Sequence, residues 1–106
     1  MVDLKKTASN LGITVSDLVM LLDEYFVQAT ELLMLLTTAL NNNDIKALST
    51  AAHGLKGVSG NMGVETIAHI ATDIEASAKI GEFENCKKLI QKAEATLQEE
   101  KIALAR

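Results

Sequence analysis

The sequence predicts an all-α protein, an up-down-up-down antiparallel four-helix bundle with a short N-terminal capping helix. Three observations carry this reading. The chain of 106 residues has no proline and no tryptophan, and its aromatics are one tyrosine and two phenylalanines. Strand-rich chains favour aromatic and β-branched residues, whereas Leu, Ala, Ile, Lys and Glu dominate here. Apolar residues recur at three- and four-residue spacing over long stretches, the period of one helix face. Short Gly or Asn breaks separate these stretches, and long amphipathic helices on short loops pack as antiparallel neighbours. No linker, repeat or low-complexity tract divides the chain, so residues 1–106 are expected to form one domain. A hydrophobic content of 48% suffices for a core of Leu, Ile, Ala and Met.

The first helix is expected over Asp3 to Asn10, with Leu4 and Leu11 as its apolar contacts and Gly12 as its stop. Thr14 with Asp17 three residues on is a capping-box-like start. From there a long helix runs to Leu40. Leu18, Leu21, Leu22, Tyr25, Ala29, Leu32, Leu33, Leu36 and Leu40 share its inward face. Asn41, Asn42 and Asn43 form a loop, with Asn43 the expected N-cap of a third helix over Asp44 to Asn61. Its core positions are Ile45, Leu48, Ala52, Leu55, Ser59 and Met62. Gly63 breaks the chain. A fourth helix over Val64 to Ile80 buries Ile67, Ile70, Ala71, Ile74 and Ala78, and Gly81 ends it. The fifth, over Phe83 to Leu104, buries Phe83, Cys86, Ile90, Ala93 and Leu97.

Charge and composition exclude several functions. Ten basic against 14 acidic residues give a net charge of −4, with no basic stripe for nucleic acid. The longest apolar runs, Leu18 to Leu22 and Leu32 to Leu36, fall far short of the ~20 residues that span a bilayer. No signal peptide is visible. Cys86 is the single cysteine, which excludes an internal disulfide and suits a reducing compartment. The expectation is a cytoplasmic protein without direct membrane contact, a monomer.

The third helix carries the chemistry. Gly54, Gly57 and Gly60 fall within it, and each glycine inside a helix costs on the order of 1 kcal/mol relative to alanine. Local structure does not explain that cost; close approach of another molecule would. On a helix His53, Lys56, Gly57 and Gly60 share a face. An imidazole is a good nucleophile near neutral pH, a neighbouring cation favours a phosphorylated ring, and bare backbone lets a partner's active site reach it. Residues 53–63, His-Gly-Leu-Lys-Gly-Val-Ser-Gly-Asn-Met-Gly, resemble without a break the His-x-Leu-Lys-Gly-x-Ser/Ala-x-x-apolar-Gly signature of histidine phosphotransfer (HPt) domains. The resemblance spans nearly the whole chain from the second helix on. It implies the same bundle and a phosphoryl carrier whose partners are response-regulator receiver domains, histidine kinases, or both.

A second residue follows from geometry. His53 lies about 9 residues before the turn at Met62 and Gly63 and Glu75 about 12 after it, so at ~1.5 Å per residue both sit at nearly the same height. Glu75 flanks the buried stripe of the fourth helix and can reach the imidazole. A carboxylate accepting a proton from Nδ1 holds one tautomer and leaves Nε2 free to attack. Similar domains carry Glu or Gln at the matching position. His69 falls on another face with Asp73 and Ala76, so no metal site is expected from His53, His69 and Glu75. Met20, Val27 and Met34 recur every seven residues beside the main stripe of the second helix. They are expected to lie partly under the first helix; the other reading is a partner-docking patch, with Leu11, Ile13, Met20 and Val58 as candidates.

These observations point to a phosphorelay carrier and not an enzyme, either free-standing or a segment of a hybrid histidine kinase. His53 is the phosphoacceptor, Lys56 stabilises phosphoryl charge, Glu75 orients the imidazole, and Gly57 and Gly60 give access. No glycine-rich phosphate loop or Mg²⁺ cluster is present, so no ATP site and no cofactor are expected. Mg²⁺ and most of the phosphoryl-transfer electrostatics would come from the partner. Two alternatives are a non-phosphorylated helical adaptor and the phosphoacceptor domain of a chemotaxis-type kinase. The intact His-x-x-Lys-Gly argues against the adaptor.

Overall fold

Each helix starts and stops where side-chain chemistry requires. The computed structural model describes residues 3–104. It contains α1 (Leu4–Leu11), α2 (Val15–Asn41), α3 (Ile45–Asn61), α4 (Glu65–Lys79) and α5 (Phe83–Leu104). Asp3, Thr14 and Asp44 are N-caps: their side-chain oxygens accept from the backbone N–H of Lys6, Asp17 and Ala47, each at 3.0 Å. A cap of this kind is worth about 1 kcal/mol. Asp44 therefore takes the capping role expected of Asn43. Asn43 instead sits in the preceding turn at φ 51°, a left-handed conformation that asparagine tolerates well. Gly12, Gly63 and Gly81 also have positive φ, which is why chain breaks fall at these glycines.

Helices α2 to α5 close a four-membered ring in which α2 packs on α3, α3 on α4, α4 on α5 and α5 back on α2. The molecule is 42 Å long, close to the ~40 Å that a 27-residue helix spans, so α2 runs its full length. The core holds Leu18, Leu22, Tyr25, Leu36, Leu48, Leu55, Ile67, Ile74 and Cys86, all buried. One polar pair crosses it: the hydroxyls of Tyr25 and Ser59 lie 2.7 Å apart and tie α2 to α3. No described helix is long and apolar enough to cross a membrane.

Several expected core positions lie at the surface. Leu11, Leu21 and Ile45 are exposed. Ile45 is the first residue of α3, Leu21 stands on the flank of α2, and Leu11 is the last residue of α1. Phe26 is buried instead, because α5 packs against that side of α2 and brings Ile102 and Leu104 near it. Met20, Val27 and Met34 remain 60–66% exposed, so α1 does not cover them. Eight residues make only ~12 Å of helix, and α1 is placed elsewhere, with Thr7 against the turn between α3 and α4 at Gly63.

Candidate functional site

The third helix is pinned on its inner side and bare on its outer side. Leu48, Ala51, Ala52, Leu55 and Ser59 are buried. His53, Lys56, Gly57 and Gly60 are exposed, and the His53 side chain is 72% accessible. The three helical glycines do not share one role. A Cβ on Gly54 would come within 3.3 Å of Leu32 Cδ2, so this glycine lets α3 approach α2 closely. A Cβ on Gly57 or Gly60 would meet nothing within 4 Å.

The fourth helix brings a carboxylate to the imidazole. Glu75 Oε2 lies 3.5 Å from His53 Nδ1, and the Glu75 side chain is largely sheltered at 18% exposure. This separation is within ion-pair range and longer than the usual N–H···O hydrogen bond. The same oxygen lies 3.9 Å from Lys79 Nζ, four residues on along α4. The ring turns Nδ1 toward Glu75. His69 is exposed on α4 and takes no part in this contact.

Behind the site, burial pushes the Tyr25 phenol up to about 12; its hydrogen bond with Ser59 opposes the rise and Glu100 adds to it. The Tyr25–Ser59 pair was hidden in sequence because both residues sit on apolar stripes and read as core. Lys79 was also missed, although a Glu followed by Lys at i+4 is a legible helix pair.

Comparison with known proteins agrees with this architecture. The Hpt domain family matches residues 20–105. The crystal structure of histidine-containing phosphotransfer protein B (HptB) from Pseudomonas aeruginosa is similar, with a TM-score of 0.84 and 31% identity over 93% of this chain and 86% of that one. No match was found among curated protein sequences. The chain belongs to the Hpt domain family. It is a phosphotransfer carrier of two-component phosphorelay signalling, and the domain that defines the family is a carrier, not a kinase. Domains of this family interact with histidine kinases and response regulators.

Proposed function

We propose that His53 is the residue that carries the phosphoryl group, with Glu75 orienting the ring, Lys56 stabilising phosphoryl charge, and Gly57 and Gly60 keeping the approach clear. The observation that carries this is the 3.5 Å contact of Glu75 with Nδ1 of an otherwise exposed imidazole. A proton held on Nδ1 leaves the Nε2 lone pair to attack the phosphorus of a receiver's aspartyl phosphate. The N–P bond forms, the P–O bond to the aspartate breaks, and the carboxylate leaves with its electron pair. The ring becomes cationic, and Glu75 sits where that charge develops. Lys56, one turn beyond His53, offers a cation to the phosphoryl oxygens. The reverse steps pass the group to another receiver. A kinase's phosphoryl group reaches the same nitrogen without an ATP site on this chain.

Incubation with a phosphorylated receiver tests this. Wild-type protein takes up an acid-labile, base-stable label, His53→Gln takes up none, and His69→Gln takes up as much as wild type. Label retained by His53→Gln, or lost from His69→Gln, removes His53 from this role.

A further inference from the structure

We infer that Lys79 is a positioning residue for the phosphoacceptor, acting through Glu75; the inference rests on the reading of Glu75 as the partner of His53. Glu75 Oε2 stands between two groups, His53 Nδ1 at 3.5 Å and Lys79 Nζ at 3.9 Å. A carboxylate oxygen has two acceptor directions, so the ammonium and the ring N–H can share it without displacing each other. The contact that holds the Glu75 side chain in place is therefore compatible with the one that orients the imidazole.

The pair is well placed for this. Glu75 and Lys79 are at i and i+4 with the acid on the N-terminal side, the favourable orientation on a helix. Lys79 is the last residue of α4, where the carbonyl end of the helix favours a cation. Glutamate has three side-chain torsions, and without a second partner it would spend part of its time turned away from the ring. Lys79 biases it toward the rotamer that faces Nδ1. The Lys79 side chain is 66% exposed, and its Nζ lies 3.9 Å from the same Glu75 oxygen that faces Nδ1. Its effect on His53 thus runs through the carboxylate and exists before any partner binds.

The readout is the tautomer of unphosphorylated His53, measured by ¹⁵N NMR with no partner present and at a pH where imidazole is neutral. The chain has two histidines, and His69 serves as the internal control. Lys79→Ala is expected to lower the ratio of Nδ1–H to Nε2–H tautomer by about 2- to 5-fold, the range an exposed ion pair can carry. Lys79→Arg restores the ratio, and Glu75→Ala combined with Lys79→Ala shifts it no further than Glu75→Ala alone. His69 stays unchanged in Lys79→Ala. A purely structural Lys79 would leave the tautomer alone. If Glu75→Ala shifts the tautomer and Lys79→Ala does not, the inference about Lys79 is overturned while Glu75 keeps its role. If neither moves it, the assignment of Glu75 falls and Lys79 with it.

Discussion

Tyr25 shows what one buried hydroxyl does to the whole domain. It is the only tyrosine, so its ionisation can be followed by tyrosinate absorbance without interference. Burial raises its phenol from the ordinary tyrosine value of about 10 to about 12. Between those values the unfolded chain has released the proton and the folded chain still holds it. The unfolded state binds fewer protons, so stability falls as pH rises. The contribution is fully present below pH 10 and lost as pH approaches about 12, a shift of roughly 3 kcal/mol. The folded protein should show no tyrosinate signal near pH 10; a signal there would mean the hydroxyl is open to solvent. Tyr25→Phe should remove this part of the alkaline decline. It should also cost about 1–3 kcal/mol at neutral pH, because the fully buried Ser59 hydroxyl loses its partner. At this scale the site was partly legible. His53 stands out by the motif it shares with Lys56, Gly57 and Gly60, and its neighbour Glu75 follows from counting residues from a turn, since helical rise is fixed. The Tyr25–Ser59 bond was not, since a tyrosine and a serine on apolar stripes give no sign of facing each other.

The glycines of α3 separate two demands on one helix. Gly57 and Gly60 have open space where a Cβ would go, and Gly54 has Leu32. Gly57→Ala should raise stability by up to ~1 kcal/mol, since alanine is the better helix former and nothing is in its way. Gly54→Ala gains the same propensity but must push Leu32 Cδ2 outward from 3.3 Å, so its gain should be smaller or reversed. Gly57→Gln should fold and melt like wild type yet slow uptake from a phosphorylated receiver, because the longer side chain stands in the approach to His53. Paired melting and transfer measurements check this: normal transfer by folded Gly57→Gln would put the docking face elsewhere. The helix ends were readable because Gly12, Gly63 and Gly81 need φ near +70° and because Thr14 could cap its own helix. The placement of α1 was not, because an apolar face records what could be covered and not what covers it. Met20, Val27 and Met34 have the spacing of a packed stripe and stand in solvent.

Across the whole molecule, charge is sorted between helices. Helix α2 holds Asp17, Asp23, Glu24 and Glu31 with no basic residue, which equals the entire net charge of −4. Helix α3 holds Lys46 and Lys56 with no acidic residue. Lys46 precedes His53 by seven residues, two helical turns, and so lies on the same exposed face. A phosphoryl donor is an anion, and a locally positive face around the acceptor raises its rate of productive encounter. Such steering acts on association and is screened over about 8 Å at physiological salt. Lys46→Glu should therefore slow transfer from a phosphorylated receiver at low ionic strength, with the deficit shrinking as salt is added. Lys101→Glu is the matched control: it changes the net charge equally, but Lys101 lines the grooves between α2 and α5, and α5 does not touch α3 in the ring. Its transfer rate should match wild type at every salt concentration. Both positions are exposed, so melting temperatures should stay within the ±0.5 kcal/mol usual for surface substitutions. Equal slowing by the two variants would mean that total charge governs the encounter. Slowing by Lys46→Glu alone ties it to the face that presents His53.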